Sequence, residues 1–314
     1  MAVPVIDIAP FLTGTPEGKR SVAAQVGRAC AEIGFLTIVG HGVPDDLVRR
    51  TYAVSREFFD LPHDEKIAVR VNQNGVGYVP LQVESLAASL GQKTPGDLKE
   101  SLNCGRDFDH DRWPANPPDL RSIWIEYFQS LNNLAASIMR IFATALDLPE
   151  HYFDDKIERP QAFMRVINYP DQQGDPLPGQ LRAGAHSDYG TLTILRSENV
   201  AGGLQVRDRA GEWVDVITAP ASFVINIGDM MQYWTNDQWV STVHRVVNPP
   251  SDTHQGARRQ SIVFFHSPNE NTLISCLEGC SSAENPAKYP PILAGEHLRQ
   301  KSAKAGTLAE TQSL

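Results

Sequence analysis

Two periodicities divide the chain. In its first half, apolar residues return every three to four positions, and from about residue 162 they alternate with polar ones in short runs. Val22, Val26, Ala29, Cys30 and Ile33 share one face, which predicts a helix over 19–33 with Gly34 just past its end. Residues 3–8 and the apolar run Phe35-Leu36-Thr37-Ile38-Val39 predict strands on either side of it, and Gly40-His41-Gly42 closes the second as a turn. Pro44 suits a first helical position, with Asp45 and Asp46 beside the positive helix end. Leu47, Val48, Tyr52, Ser55 and Phe59 continue that helix to Leu61-Pro62. Segment 67–118 holds many glycines and prolines, and 75–80 within it reads as a loop or short strand. The longest helix is predicted at about 119–147, where Leu120, Trp124, Tyr127, Leu131, Leu134, Ile138 and Phe142 keep helical spacing. So broad an apolar face calls for a sheet behind it. The second half predicts strands at 162–169, 191–196, 203–206, 213–217, 222–227, 230–234, 242–247 and 260–266. Short strands at such spacing predict a sandwich or barrel, with a jelly roll among the leading options. The polar tail 296–314 reads as a peripheral helix or a frayed end.

Composition narrows the function. A chain of 314 residues, 41% hydrophobic and 21% charged, can bury a large core. Its net charge of -9 argues against nucleic acid as a main partner, which would call for a basic stripe. No apolar run nears the roughly 18 residues of a membrane span. The start, Met1-Ala2-Val3-Pro4-Val5, has neither a basic segment nor a long apolar one, so no signal peptide is expected. Four cysteines make no disulfide framework, and the Cys276, Cys280 pair lacks a second pair for zinc, so a reducing cytoplasm is the expected compartment. A small-molecule substrate, no nucleic acid or membrane partner, and a monomer or weak homo-oligomer are expected.

The candidate chemistry starts at Ala185-His186-Ser187-Asp188-Tyr189-Gly190. Positions i and i+2 of an extended chain face the same way, so an imidazole and a carboxylate project side by side. With one more histidine they would complete a two-histidine, one-carboxylate set for a divalent first-row metal. His63-Asp64-Glu65 has a similar pattern but reads as an acidic helix start. His244, in the strand-like Ser241-Thr242-Val243-His244-Arg245-Val246-Val247, is the next candidate ligand. Arg259 and Ser261 share a strand face further on and offer a guanidinium fork and a hydroxyl to a carboxylate.

Taken in order, these segments resemble the isopenicillin N synthase-like branch of the Fe(II)/2-oxoglutarate-dependent dioxygenases. The resemblance is carried by Gly34-Phe35-Leu36-Thr37-Ile38-Val39-Gly40-His41-Gly42-Val43, Phe58-Phe59-Asp60-Leu61-Pro62, Asp97-Leu98-Lys99-Glu100-Ser101 and Asn168-Tyr169-Pro170. It continues through His186-Ser187-Asp188-Tyr189-Gly190-Thr191, Gly202-Gly203-Leu204-Gln205-Val206, Asn226-Ile227-Gly228-Asp229 and Ser241-Thr242-Val243-His244-Arg245-Val246. It implies a mainly β fold with flanking helices, a distorted double-stranded β-helix, in one structural unit. That unit would comprise an N-terminal helix/strand region at 1–118, a jelly-roll core with its backing helix at 119–290 and a tail at 291–314. The resemblance also implies Fe(II) on His186, Asp188 and His244, with O2 as oxidant. The distal carboxylate of 2-oxoglutarate would meet Arg259 and Ser261, with Tyr169 as a further hydroxyl. Arg165, two alternations before Tyr169, would face the same cavity and serve near the cosubstrate or an anionic substrate group. One departure is the spacing from His244 to Arg259, lengthened by a turn-rich loop at 248–257, an insertion of low entropic cost. That loop's His254 lacks the strand-fixed direction of His244. Tyr78 to Leu81, Phe163, Phe265 and the tail are expected pocket walls. Three functions stay open: a 2-oxoglutarate-dependent oxygenase, with hydroxylation the default; an Fe(II) oxidase that needs no 2-oxoglutarate; and a non-catalytic metal-binding sensor.

Overall fold

The computed structural model describes residues 2–172, 174–198, 203–250 and 256–304. Two sheets face each other. The larger has eight strands in the order β1-β2-β10-β7-β12-β5-β4-β3, and the smaller has four in the order β6-β11-β8-β9. In chain order these are β1 (Val5–Asp7), β2 (Phe35–Val39), β3 (Gly77–Val79), β4 (Glu100–Cys104), β5 (Gln161–Tyr169), β6 (Ala183–His186), β7 (Leu192–Ser197), β8 (Leu204–Arg207), β9 (Trp213–Asp215), β10 (Phe223–Ile227), β11 (His244–Val246) and β12 (Arg259–Ser267). All neighbours pair antiparallel except β1 with β2. This is the distorted double-stranded β-helix.

Strand alternation sorts the side chains into two cores. On β12, Ile262 and Phe264 face the helices, whereas Val263 faces the smaller sheet. On β5, Met164 and Val166 join the helix side, and Ile167 and Tyr169 join the interior. The first five helices are α1 (Ala9–Thr13), α2 (Pro16–Glu32), α3 (Asp45–Phe59), α4 (His63–Ile67) and α5 (Leu120–Ala145), and of these α2, α3 and α5 cover the helix side. Thr15 caps α2 by accepting from Gly18 N–H at 3.2 Å. The apolar stripe of α5, including Trp124, Phe128, Leu131 and Phe142, is buried, and Phe128 meets Phe264 edge-on at 5.0 Å.

Three expectations change. Residues 230–234 form not a strand but a helix, α6 (Asp229–Trp234). Met230, Met231 and Trp234 recur at helical spacing, and the N–H of Met230 reaches back to Tyr189 O at 3.2 Å. Glu100–Cys104 is a strand although its composition, Glu-Ser-Leu-Asn-Cys, is polar. Burial on both faces is possible because Glu100 accepts from Tyr78 at 2.5 Å, Lys66 at 2.9 Å and Asn168 at 2.8 Å. Tyr78, expected as a pocket wall, therefore turns into the helix-side core. The polar tail starts as α7 (Ala294–Lys304), and His254, half of its loop and the last ten residues lie outside the described residues. No described helix is long and apolar enough to cross a membrane.

Candidate metal centre and anion pocket

β6 and β11 are neighbours in the smaller sheet, and their register sets His244 directly opposite His186. The imidazole centroids lie 4.3 Å apart, and Phe35 packs edge-on against His244 at 5.3 Å. Asp188, just past the end of β6, reaches the same point. Its Oδ1 is 3.9 Å from His186 Nε2 and 3.8 Å from His244 Nε2. Among the described residues, these three are the one group of donor side chains with ligand atoms mutually within 4.8 Å.

The surroundings decide which atoms are free to bind. His186 Nδ1 lies 2.8 Å from Gly184 O and His244 Nδ1 lies 3.1 Å from Thr242 O. A carbonyl accepts only, so each Nδ1 carries the proton and each Nε2 keeps its lone pair for a cation. Asp188 is divided in the same way. Its Oδ2 accepts from Thr193 Oγ1 at 2.6 Å and Asn226 Nδ2 at 2.7 Å, which leaves Oδ1 facing the imidazoles. Burial, reinforced by His244, pushes His186 down to about 3, so the ring is neutral and able to ligate. Burial opposes ionisation of Asp188, but the two imidazoles and its hydrogen bonds outweigh it and hold the carboxyl below its usual range. Three acceptors aimed at one another, Asp188 and His244 buried and His186 half-buried, need a cation between them. Two nitrogens and one oxygen on one side, leaving the other side open, fit Fe(II).

A second feature lies on the inner face of the larger sheet. Arg259, 3% exposed, donates through Nη2 to Ser197 Oγ at 2.7 Å and Ser261 Oγ at 2.9 Å. Its guanidinium carbon is 5.0 Å from the centroid of the Tyr169 ring, and that of buried Arg182 is 5.8 Å from the same ring. Burial, with Arg259 adding to it, pushes Arg182 down to about 10, still charged near neutrality. Two buried guanidiniums with hydroxyls between strands form a place suited to an anion. Arg165 is on this inner face as expected, but its guanidinium is engaged. It donates to Glu84 Oε2 at 2.9 Å, to Glu84 Oε1 at 3.1 Å and to Asn103 Oδ1 at 3.0 Å.

The supporting residues Thr193, Asn226, Ser197 and Glu84 were not singled out for these roles from sequence. Asn226 did carry a signal, since it is the lone polar residue in the apolar strand Phe-Val-Ile-Asn-Ile. Thr193 and Ser197 are hydroxyls on a strand where either face was plausible.

The fold and this metal-ligand set define a non-haem Fe(II) oxygenase. Two family models match, "non-haem dioxygenase in morphine synthesis N-terminal" over 3–126 and "2OG-Fe(II) oxygenase superfamily" over 160–268. The 2-oxoglutarate-Fe(II) type oxidoreductase hxnY of Emericella nidulans is 34% identical, across 95% of this chain and 88% of that one. Homoarginine-6-hydroxylase 2-ODD-C23 of Glycine max is 31% identical, across 96% of each chain. Among solved structures, a full-length Neurospora crassa protein in complex with alpha-KG aligns with a TM-score of 0.86 at 30% identity, covering 96% of both chains. The same protein with alpha-KG and thymine aligns at 0.85. The chain belongs to the 2-oxoglutarate/Fe(II)-dependent oxygenases. It is a dioxygenase that couples oxidative decarboxylation of 2-oxoglutarate to oxidation of a substrate, with Fe(II) as metal and O2 as oxidant.

Proposed function

We propose that His186, Asp188 and His244 hold the Fe(II), that Arg259 and Ser261 with Tyr169 seat the distal carboxylate of 2-oxoglutarate, and that the chain hydroxylates a small polar metabolite. The observation that carries this reading is the convergence of two Nε2 atoms and one Oδ1 at 3.8–3.9 Å, with every other polar atom of the three side chains bound elsewhere. When bound, the iron supplies oxygen activation and the oxidising step. The protein's residues bind and orient. Asn226 and Thr193 stop Asp188 from rotating, and the two backbone carbonyls stop the imidazoles from flipping. Arg259 offers its carboxylate partner a charge-assisted contact worth roughly 1.5–3 kcal/mol. Phe35 and the apolar interior around Val206, Val224 and Val246 keep water away. Hydroxylation is favoured because several relatives are named homoarginine-6-hydroxylases. A small polar substrate is favoured by those names and by the thymine bound to the Neurospora crassa protein. On this reading Arg165 and Glu84 wall the substrate space.

The test is anaerobic titration of the Fe(II)-loaded protein with 2-oxoglutarate. A weak visible charge-transfer band is expected, followed by succinate release on admitting air. Absence of both would reject the reading.

A further inference from the structure

We infer that the ammonium of Lys99 is a substrate-recognition group that donates to a carbonyl or carboxylate oxygen of the substrate beside the metal ligands. This rests on the oxygenase reading above and specifies its substrate class.

Lys99 is 3% exposed and immediately precedes β4. Its Nζ lies 3.2 Å from Glu84 Oε2 and 3.7 Å from Asp97 Oδ2, yet among the described residues it makes no hydrogen bond of good geometry. Both carboxylates are engaged elsewhere. Glu84 takes the fork of Arg165 on its two oxygens. Asp97 accepts Leu86 N–H on Oδ2 at 3.1 Å and Gly184 N–H on Oδ1 at 3.0 Å. An ammonium has three donors, and here they have capacity to spare.

The surroundings place this group at the metal centre. Asp97, 3.7 Å from the Lys99 ammonium through Oδ2, holds Gly184 N–H through Oδ1, and Gly184 is two residues before His186 on the same strand. The preceding residue, Leu98, is tied to the approach to that strand, its N–H donating to Leu181 O at 2.9 Å. A turn at Leu86–Leu90 packs so tightly over β6 that a Cβ on Gly184 would meet Ala87 N at 2.8 Å. The ammonium is buried, and burying such a charge without full hydrogen bonding is costly. A substrate oxygen would complete its shell, and a hydrocarbon would not. The class this selects is a polar molecule with a carbonyl or carboxylate oxygen within reach of Lys99, such as a cyclic amide or an amino acid.

The competing role for Lys99 is charge balance against Glu84 and Asp97 alone, and the experiment separates the two. Substrate-stimulated succinate release is measured on the full chain with Fe(II) and 2-oxoglutarate, using thymine, homoarginine and ethylbenzene as probes. At least one of the two oxygen-bearing probes is expected to stimulate turnover. Lys99→Met should raise the Michaelis constant for that probe at least about tenfold, the loss of one charge-assisted hydrogen bond. The Michaelis constant for 2-oxoglutarate should move less than about twofold. In Lys99→Met with Glu84→Gln the net buried charge is balanced again, so thermal stability recovers while the probe's Michaelis constant stays well above that of Glu84→Gln alone, measured beside it as the control for the Glu84 wall. Should the single variant be insoluble, this double variant carries the test. Stimulation by ethylbenzene alone, no stimulation by either oxygen-bearing probe, an unchanged constant in Lys99→Met, or a constant in the double variant no higher than in Glu84→Gln alone would each overturn the inference. Failure of the oxygenase reading looks different, because the wild-type protein would then show neither the 2-oxoglutarate band nor succinate, and the inference would fall with it.

Discussion

Asp188 divides its work between two oxygens, one facing the imidazoles and one receiving Thr193 and Asn226. Replacing Asn226 by Leu removes a donor to Oδ2 and frees the carboxylate to rotate. Anaerobic Fe(II) titration should then show affinity weaker by roughly 10–100-fold, as for other partners of metal ligands, with the fold retained. An unchanged affinity would mean that Thr193 alone fixes the carboxylate. Arg259→Ala should leave Fe(II) affinity in place and raise the Michaelis constant for 2-oxoglutarate by roughly 10–150-fold, the equivalent of a lost contact of about 1.5–3 kcal/mol. Arg259→Lys should recover only part of this, because it keeps the charge but loses the fork. Steady-state kinetics at saturating substrate checks both. The candidate site residues were legible because side chains of an extended chain repeat with period two. His186 and Asp188 share a face by spacing alone, as do Arg259 and Ser261, and the ordered family resemblance supplied His244. Asn226 and Thr193 reach Asp188 from 38 and 5 positions away, and the tie that brings the Lys99 segment to the metal strand, Asp97 with Gly184, spans 87. No local pattern reports such pairings.

At the scale of elements, what could be read depended on whether burial left a periodic trace. Helices α2 and α5 each bury one stripe, so period 3.6 located both. β4 is buried on both faces by polar partners and leaves no alternation to find. α6 buries two methionines and a tryptophan within six residues, too short a run to tell a helix from a strand. The segment between β3 and β4 shows what such polar burial implies for stability. Arg165 and Lys99 overcome the burial of Glu84 and hold its carboxyl down to about 2, against 4.5 ordinarily. A carboxyl depressed in the folded state stabilises fully above its unfolded value and loses that contribution as pH falls through its folded one. Glu84 should therefore add to acid destabilisation from about pH 4.5 down to about 2. Urea midpoints measured across that range should fall less steeply for Glu84→Gln than for the wild-type protein. Equal slopes would show that Glu84 is not ionised in the folded state below its ordinary range.

Across the whole molecule, the first 118 residues are woven into the catalytic sheet. They supply β1 and β2 at one edge of the eight-stranded sheet and β3 and β4 at the other. They also supply α3, whose Ser55 Oγ accepts from Trp124 Nε1 at 3.0 Å, and Phe35, which packs on His244. Removing them would bare β10 and β5 as unpaired edges and expose the apolar faces that α2 and α3 now cover. The ligand set of the remaining part does not compensate, since chelation cannot replace the lost backing of the sheets that carry it. A fragment starting at residue 119 is thus expected to keep all three metal ligands and Arg259 and yet fail to fold cooperatively. Expression of that fragment, with far-UV circular dichroism, thermal melting and anaerobic Fe(II) binding, tests the point. A soluble fragment with a sharp melting transition and wild-type iron affinity would show that the jelly roll is autonomous and that the N-terminal strands merely decorate it. Aggregation on its own would be ambiguous, so co-expression with residues 1–118 as a separate chain supplies the control. Recovery of soluble, iron-binding complex from the two pieces is expected, because the sheet pairings across the cut are antiparallel ladders that do not require chain continuity.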